Sequence, residues 1–592
     1  MSVLQGCSLA AMLVCVAWNL GPADLLVESA FAQELDEALE DLAEAADGLI
    51  APPDMARLDE LRHSPIDLNT ATRTELEQLP WMTPQQAEDV VRRRNRSRSF
   101  PAVSLLPDVP GLDRALVEGL RPFISVRAPP RLSGRWRMTG QRRERDMGRR
   151  TGWMGLRTDI TIGPHVLWGA RVDHRRLSRA ETRGMTGYAG VRDWGLIEQF
   201  LIGRYRIEYG QGLVLGERSS GTGVSGVGVP FKWRPRGVTP VRSSPQSGQL
   251  HGAVMVARLR ALRVTTAVAR SQTQRSLTGF RVSWMHDGTS AGLTFARRGK
   301  APSGRPSDAS GADDEAEPAE TPLSPALVYG LDLDAMIGPT NLYGEIARRD
   351  GGMGFVAGVL WTLGRLDGGT VAQRRDESNI TTDVRFRPDD QTILAFSHRT
   401  TRRRWNLTDE SIPAMGTVVA ARIMRRITRS VVMTAMWRGE RREEGKPVRR
   451  RYDPARLRGQ VDWNVTPRLR LRGRAEHQVA FSSTRKAEER ERVFLADVRY
   501  QTMGKLSLSG RWVGSSGVTT QALRDESDDP FDPVSGYSLT DDRASWSVFM
   551  RGPIAAKTEL SVRYTQRRVR QAGKTIPQRS DVVWTVQVDA AW

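Results

Sequence analysis

Apolar and polar residues alternate along most of the chain from about residue 131 onward. In one segment Leu457, Val461 and Trp463 fall on one face, whereas Arg458 and Asp462 fall on the other. A period of two is that of a β-strand, and it suits a strand with lipid on one side and water on the other. The pattern therefore predicts a mainly β structure over residues 131–592.

The connections between the predicted strands alternate between short and long. The region holds roughly 24 segments of about ten residues, the length that crosses a bilayer at a tilt. Short turns fall at Gly163-Pro164, Gly338-Pro339, Asp389-Asp390, Val465-Thr466-Pro467 and Met503-Gly504, and long polar connections fall at 210–248, 299–325, 441–454 and 515–542. A soluble sandwich or propeller also alternates, but it gives no reason for this asymmetry. The sequence thus predicts a large antiparallel transmembrane β-barrel with short turns on one side and external loops on the other.

Hydropathy and the last predicted strand agree with a barrel. The mean hydropathy is −0.44, and no apolar run of about eighteen residues follows the first segment, so no membrane-spanning helix is expected. One face of the last strand holds Trp584, Val586, Val588, Ala590 and Trp592. This pattern resembles the terminal strand by which assembly machinery recognises outer-membrane barrels. Outer-membrane lipid and the barrel assembly machinery are therefore expected partners.

Residues 65–127 show helical rather than strand periodicity. Thr72 and Glu75 form a capping box that opens a short helix, and Thr83, Pro84 and Gln86 repeat the signal for a second helix. A second copy of the pattern has its apolar positions and its turn at Val103, Leu105, Leu106, Val109, Pro110, Gly111, Leu112, Leu116, Val117 and Leu120. The sequence thus predicts a small all-α domain of paired helices ahead of the barrel.

Two family resemblances rest on these residues. The run Ile66-Asp67-Leu68-Asn69-Thr70-Ala71, with Glu75-Leu76 and Leu79-Pro80, resembles the double helix-hairpin-helix domain of the periplasmic DNA receptors of natural competence. The order of a leader, this domain and a barrel containing Gly210-Gln211-Gly212 resembles a group of bacterial outer-membrane β-barrel proteins with an N-terminal helix-hairpin-helix domain. The first resemblance implies DNA as a partner. The second implies an outer-membrane location with the N-terminal domain on the periplasmic side.

The hairpin turns bear on the implied DNA site. In the competence family a Gly-x-Gly hairpin brings backbone N–H groups close to a phosphate. The turns here hold Trp81, Met82 and Thr83 in the first hairpin and Gly111 and Leu112 in the second. A Cβ atom at each position of the first turn opposes such an approach. The loss of the glycines from the first hairpin favours a protein-docking or plug domain over a DNA-binding one.

A basic run follows the first hairpin and supplies the candidate nucleic-acid contacts. Its members are Arg92, Arg93, Arg94, Arg96 and Arg98. Together with Gly111, they could contact a phosphate backbone without reading sequence. The same run is typical of a solvated helix end, where cations also suit the helix dipole.

The first 64 residues precede this domain. Residues 1–32 predict a signal peptide, with an apolar stretch from Leu9 to Leu20 and a cleavage site at Ala30-Phe31-Ala32. Cys7 and Cys15 lie within it, so the mature chain is expected to contain no cysteine. Residues 33–64 form an acidic segment with helical periodicity.

The net charge of +20 points to anionic partners. Only seven of the 88 basic residues are lysine, however, and a GC-rich genome would produce the same skew. On the polar face of the strands, the arginines would line the lumen as an anion-selective path or as an ion-paired filling. The glycine run at 221–226 matches a dinucleotide fingerprint but lacks its βαβ context. No catalytic or metal-binding spacing is recognisable, so an enzyme, a cofactor and a metal are not expected.

Three hypotheses follow for the function. The leading one is a non-enzymatic transport or channel barrel whose helical domain acts as a plug or docks a periplasmic protein. The second is a receptor for DNA capture or uptake. The third is a structural or assembly role in the outer membrane.

Overall fold

The computed structural model describes the chain in segments separated by gaps. These are residues 61, 65–79, 82–97, 99–112, 117, 120–126, 132–145, 149–163, 165–176, 181–216, 232–241, 249–271, 276–286, 288–299, 326–349, 352–374, 377–389, 391–403, 415–444, 450–482, 487–502, 506–516, 542–555, 557–570 and 579–591. The predicted signal peptide, nearly all of the acidic segment and the glycine run at 221–226 lie outside the described residues.

Short helices build the N-terminal head, which we define as residues 65–126. Its elements are helix α1 (Arg73–Leu76), helix α2 (Pro84–Ser97), 3-10 helices at Val103–Asp108 and Arg121–Phe123, and strands β1 (Ile66–Asp67) and β2 (Ile124–Ser125). Thr72 forms the predicted capping box with Glu75, and Thr83 and Gln86 exchange the equivalent bonds at the start of α2. The parallel pairing of β1 with β2 was not predicted, because two residues are too few to show a period.

The head has its own apolar core. Side chains from both predicted copies are fully buried in it, namely Leu68, Leu76, Leu79, Met82, Val90, Leu106, Val109, Leu120 and Phe123. Arg94 also serves this core, since its guanidinium donates to the backbone oxygens of Leu68 at 3.2 Å and Ala71 at 2.6 Å. Burial of this apolar set is what holds such short helices together, since isolated helices of this length are unstable in water.

The remainder of the described chain is almost entirely strand. The strands are β3 (Leu132–Arg145), β4 (Arg149–Ile162), β5 (Val166–Arg176), β6 (Glu181–Trp194), β7 (Ile197–Glu208), β8 (Gly237–Pro240), β9 (Leu250–Leu259), β10 (Leu262–Ser271), β11 (Ser276–His286), β12 (Thr289–Arg298), β13 (Ala326–Ile337), β14 (Thr340–Arg349), β15 (Gly352–Leu363), β16 (Leu366–Arg374), β17 (Glu377–Phe386), β18 (Thr392–Arg403), β19 (Met415–Arg426), β20 (Val431–Glu444), β21 (Arg450–Thr466), β22 (Leu469–Ser482), β23 (Ala487–Gln501), β24 (Ser507–Ser516), β25 (Asp542–Ala555), β26 (Thr558–Arg570) and β27 (Arg579–Ala591).

These strands close into one antiparallel barrel. Each pairs with the next along the chain, and β27 pairs with β3 to close the ring. There are 25 strands from β3 to β27 in the described residues. The short strand β8 is not counted in the ring, because β7 pairs directly with β9. The barrel therefore has 24 strands, as predicted. Closure leaves no free sheet edge around the ring, which a strand structure in a bilayer requires.

The two faces of the wall differ as the alternation predicted. Leu457, Val461 and Trp463 are exposed on the outer face of β21, whereas Arg458 is buried on the inner face. On the last strand, Trp584 is exposed on the outer face and its ring lies 4.5 Å from that of Tyr564. An apolar outer band with aromatic residues is the surface of a transmembrane barrel. None of the helices in the described part of the chain is long and apolar enough to span a membrane.

Short turns and long connections lie at opposite ends of the barrel. The turn at Gly338-Pro339 joins β13 to β14, while 27 residues, 299–325, separate β12 from β13. The connection predicted at 441–454 is shorter than expected, because β20 extends to Glu444 and β21 begins at Arg450. β3 begins at the short-turn end, since Leu132 pairs with Ile162 beside the turn to β5. The head therefore joins the barrel at the short-turn mouth.

The connection after β7 corrects one prediction. We expected residues 210–248 to form an external loop, but the described parts of this connection, 209–216 and 232–241, lie against the inner wall and are called the strap. Leu213, Val214 and Leu215 of the strap pack on inner-face residues of β10 to β16. The wall is lined there by small residues, namely Ala267, Ala269, Gly279, Ala296, Gly330, Ala347 and Gly354. These small side chains leave the room that the strap fills.

Gly203 is the point at which β7 separates from β6. β7 pairs with β6 only from Ile197 to Gly203. β8 then pairs with residues 205–208, while residues 204–205 still pair with β9. Gly203 has φ +108°, and a Cβ there would lie 2.3 Å from the backbone oxygen of Gly187. Only glycine fits both the backbone angle and the close approach of the two strands.

We expect Gly203→Ala to destabilise the barrel by about 1–3 kcal/mol, the usual cost of a strained backbone conformation. Gly473→Ala is the matched control, because Gly473 lies in β22 and a Cβ there would meet no atom within 4 Å. Urea unfolding in lipid vesicles, followed by tryptophan fluorescence, measures both. Equal unfolding midpoints for the two variants would contradict the assigned role of Gly203.

Candidate functional site

Four charged side chains join the head to the barrel. Arg73 and Glu77 belong to the head, Lys232 to the strap and Asp334 to β13. Arg73 is ion-paired with Glu77, and its Nη2 lies 3.0 Å from Asp334 Oδ1. Lys232 Nζ lies 2.7 Å from Glu77 Oε2 and 2.6 Å from Asp334 Oδ2. The four ion pairs form a closed ring, which we call the charge ring.

The charge ring is buried and electrically balanced. The side chains of Arg73, Glu77 and Lys232 are at most 5% exposed, and Asp334 is 15% exposed. Burial acts to lower the pKa of Arg73, but the carboxylates of Glu77 and Asp334 outweigh it and raise that pKa above its ordinary value. Arg73 therefore stays charged. Two cations and two carboxylates compensate one another, which is the condition under which charges are tolerated inside a protein.

Backbone contacts extend the docking beyond the charge ring. Arg234 of the strap donates from Nη1 to the oxygen of Leu79 at 3.0 Å and from Nη2 to the oxygen of Met82 at 2.8 Å. Gln78 of the head donates to the backbone oxygen of Pro235 at 3.4 Å. Met82 belongs to the first hairpin turn, and Leu79 lies shortly before it. The strap therefore binds the head at its first hairpin.

The strap is itself fixed to the wall by one carboxylate. Glu345 of β14 accepts hydrogen bonds from the backbone N–H groups of Gln211 at 2.6 Å, Leu213 at 3.0 Å and Val214 at 3.2 Å. Gly210 and Gly212 have positive φ angles of +57° and +74°, which bend the backbone at Gly210-Gln211-Gly212. The bend points the N–H groups at one acceptor, and this arrangement suits a buried carboxylate.

The two parts of the strap are held to each other by an amide. Gln211 Oε1 accepts from the N–H of Trp233 at 3.0 Å, and Gln211 Nε2 donates to the oxygen of Trp233 at 3.3 Å. Lys232 and Arg234, which contact the head, flank this tryptophan. A path of direct contacts thus runs from the wall at Glu345 through Gln211 to the head.

The predicted nucleic-acid residues lie on α2 and at the hairpins, and their role stays a prediction. Arg92 and Arg96 are exposed, with Arg92 3.5 Å from Asp89, and Arg93 bonds to Ser97. The Arg94 guanidinium donates hydrogen bonds to backbone carbonyl groups of the head. Trp81 and Arg98 lie outside the described residues, and Met82 and Leu112 are buried in the head core.

The second hairpin keeps its turn geometry. Gly111 has φ +79°, and its backbone oxygen accepts a hydrogen bond from Gln86 Nε2 at 2.6 Å. Gln86 also caps α2 through its bond to the N–H of Thr83, so one side chain ties the two hairpins together. This explains Gly111 as a structural residue of the head.

A second set of charged side chains lines the lumen on the opposite side of the barrel. Seven arginines project from the inner face of β21–β24 and are called the arginine ladder: Arg456, Arg458, Arg470, Arg472, Arg474, Arg499 and Arg511. The carboxylates described on the same inner face are Asp462, Glu476 and Asp497. Sequence alternation predicted these arginines to line the lumen, but it did not predict how they would be paired.

Each of the three carboxylates contacts two members of the arginine ladder. Asp462 lies 2.5 Å from Arg472 and 3.1 Å from Arg470. Glu476 lies 2.5 Å from Arg458 and 2.6 Å from Arg474.

Asp497 completes the pattern. It lies 2.9 Å from Arg511 and 3.3 Å from Arg499. Arg456 bonds to the amide oxygen of Gln478 at 3.1 Å. Among the side chains that the structure describes on this face, seven cations stand against three anions, which gives the ladder a positive charge.

A cavity of about 380 Å³ lies at the short-turn end of the arginine ladder. Its polar lining includes Arg429, Arg468, Arg470, Arg499, Asn464 and Gln501. No carboxylate lines this cavity in the part of the chain that the structure describes. Within the same residues, no group of three His, Cys, Asp or Glu side chains is placed to hold a metal ion.

Comparisons with known proteins agree with the two parts of the chain. Residues 62–125 match the family model of the helix-hairpin-helix motif. Among solved structures, the chain is similar to OccK5 (OpdH) of Pseudomonas aeruginosa, with 10% identity over 78% of this chain and 98% of that one at a TM-score of 0.32. No curated protein matches the sequence.

Two further solved structures match most of the chain at low identity. The siderophore receptor PirA from Pseudomonas aeruginosa is 7% identical over 79% of this chain and 82% of that one, with a TM-score of 0.42. The copper transporter OprC is 9% identical over 77% and 80%, with a TM-score of 0.41. The motif match, the closed 24-strand ring and the apolar outer band describe a β-barrel of the transmembrane type with a helix-hairpin-helix head.

Sequence reasoning missed the residues that dock the head. Arg73 and Glu77 read as ordinary polar positions of a short helix, Asp334 as one acidic residue on an alternating strand, and Lys232 as part of a loop. The one local signal was rarity, because Lys232 is one of seven lysines in an arginine-rich chain. Their association depends on contacts between residues more than 150 positions apart, which no local pattern contains.

We expect Lys232→Ala to weaken docking of the head by about 3–5 kcal/mol, since it leaves two buried carboxylates with a single cation. Hydrogen exchange of the α2 amides should speed up, while exchange in the barrel strands stays the same. Arg96→Ala is the control, because Arg96 lies exposed on α2 outside the charge ring. Unchanged exchange in Lys232→Ala would rule out the charge ring as the main docking contact.

Proposed function

We propose that this chain is a transport component of the outer membrane whose helix-hairpin-helix head closes the periplasmic mouth of the barrel. The charge ring is the observation that carries the proposal, because it commits buried charges of the head to partners on the strap and the wall. Burying charges is costly unless every partner is in place, so docking is specific to this position.

The width of the barrel supports the proposal that its lumen is closed by a plug. Barrels of 16–18 strands enclose an aqueous channel, and 22-stranded transporters of the outer membrane carry a plug. With 24 strands, an empty lumen would be wider than either. The head and the strap occupy part of it from the short-turn mouth, and the short turns of outer-membrane barrels face the periplasm.

The contact pattern supports a removable plug rather than a permanent filling. The head is a separate folded unit with its own apolar core, whereas its described side-chain contacts with the strap and wall are polar: the ion pairs Arg73–Asp334 and Glu77–Lys232, and hydrogen bonds from Arg234 and Gln78. Polar interfaces can separate without exposing apolar surface to water. A periplasmic protein that competes for the charge ring would therefore release the head.

Ion conductance in planar bilayers tests the proposal. The full-length protein is expected to show low conductance, and the double variant Lys232→Ala, Arg234→Ala is expected to open to large and long-lived conducting states. The physical reason is that the two substitutions remove the strap's charged contacts with the head.

Arg236→Ala provides a matched control, because Arg236 is a strap residue that forms an ion pair with Glu208 of β7. It should leave the low conductance of the full-length protein unchanged. If the double variant conducts no more than Arg236→Ala does, the head does not close the barrel.

DNA capture is the alternative, and we expect the full-length protein in nanodiscs to fail to bind duplex DNA through its head. The strap holds the first hairpin, and Arg94 is used within the head core. Fluorescence anisotropy at two salt concentrations measures this. Binding that weakens steeply with salt and is lost in Arg92→Ala, Arg93→Ala, Arg96→Ala would instead favour a DNA receptor.

A further inference from the structure

We infer that the arginine ladder and the cavity at its short-turn end form a binding path for small anions that carry carboxylate or phosphate groups. This inference rests on the proposed transport function and specifies the class of solute that the lumen accepts. It concerns the wall of β21–β24, which shares no residue with the charge ring.

The composition of the arginine ladder is the first argument. A filling that served only to occupy the lumen would balance its charges, as the charge ring does with two cations and two carboxylates. The ladder instead gives each of its described carboxylates two arginines, so the described side chains of this wall carry a net positive charge. Clefts lined by one sign of charge concentrate counter-ions, and here the counter-ion is an anion.

The cavity is the second and independent argument. It lies where β21–β24 reach the short turns, and it brings Arg429, Arg468, Arg470 and Arg499 together with the amides of Asn464 and Gln501. Its described lining holds no acidic side chain. Guanidinium groups with neighbouring amides are the donors that bind carboxylate and phosphate oxygens in two-point contacts.

Continuity between the two features defines the path. Arg470 and Arg499 belong both to the cavity lining and to the arginine ladder. Arg472 and Arg474 follow Arg470 at every second position of β22, so they share its inner face. A bound anion can therefore pass from one guanidinium to the next along the strand, while the carboxylates keep the arginines oriented.

The position of the path around the barrel would also let the head open the lumen without touching the path. The head contacts Asp334 of β13 and, through α2, strand β14. In the ring order, β21–β24 lie on the far side of the lumen from these strands. Release of the head would thus open the lumen beside the arginine ladder without disturbing its ion pairs.

The experiment measures ion selectivity in the opened barrel, Lys232→Ala, Arg234→Ala. In a potassium chloride gradient, the reversal potential should show preference for chloride. The preference should fade above about 1 M salt, where the screening length is about 3 Å. Inorganic phosphate and succinate, added separately, should each reduce the chloride current, whereas the same concentration of glucose should not.

Two variants assign this selectivity to the ladder. In the opened background, Arg470→Gln, Arg499→Gln should move the reversal potential toward zero and abolish block by phosphate and succinate. Arg456→Gln should do the same to a lesser degree, because Arg456 donates hydrogen bonds to the amide oxygen of Gln478. Arg492→Gln is the control, since this arginine lies exposed on the outer face of β23 and should have no effect.

The outcomes separate this inference from the proposed function. An opened barrel that conducts but prefers potassium, or whose chloride preference survives both ladder variants, overturns the inference and leaves the plug intact. A barrel that stays closed in Lys232→Ala, Arg234→Ala contradicts the plug. In that case, direct binding of radiolabelled phosphate to the full-length protein, lost in Arg470→Gln, Arg499→Gln, still tests the anion site.

Discussion

The buried charge ring is the interaction on which the arrangement of this molecule depends. Arg73 and Glu77 come from the head, Lys232 from the strap and Asp334 from the wall, so three separate parts of the chain must meet for any of the four charges to be compensated. An unpaired charge at this depth would cost several kcal/mol. The charge ring therefore contributes less to stability than to the position of the head, because all four charges are compensated in one docked position only.

The strap makes that position reachable. The chain separates from β6 at Gly203 and turns at Gly210-Gln211-Gly212, and Glu345 holds the strap against a wall of small residues. Each step has a local cause: positive φ at a glycine, three N–H groups aimed at one carboxylate, and alanines where larger side chains would collide. The wall thus positions the strap, and the strap positions the head. None of these contacts involves the lipid-facing side chains of the barrel.

Much of the fold could be predicted from the sequence, because a bilayer imposes a strict alternation that Leu457, Arg458 and Trp463 display directly. Strand number, closure and the capping boxes at Thr72 and Thr83 follow from such local rules. The inward course of the strap could not be predicted, since a long connection looks the same whether it lies outside or inside. The charge ring was likewise hidden, because Lys232 and Asp334 acquire meaning only when distant segments meet.

Cysteine crosslinking in intact outer membranes tests most directly whether the head occupies the lumen mouth. Gln78→Cys and Pro235→Cys place thiols at a head–strap contact, and the two cysteines of the chain itself lie in its first fifteen residues. A bifunctional maleimide should join this pair efficiently, should fail to join Gln78→Cys with Arg492→Cys on the outer wall, and should lose most of its yield when Lys232→Ala is added. Equal yields for both pairs, or a yield independent of Lys232, would contradict a head docked by the charge ring.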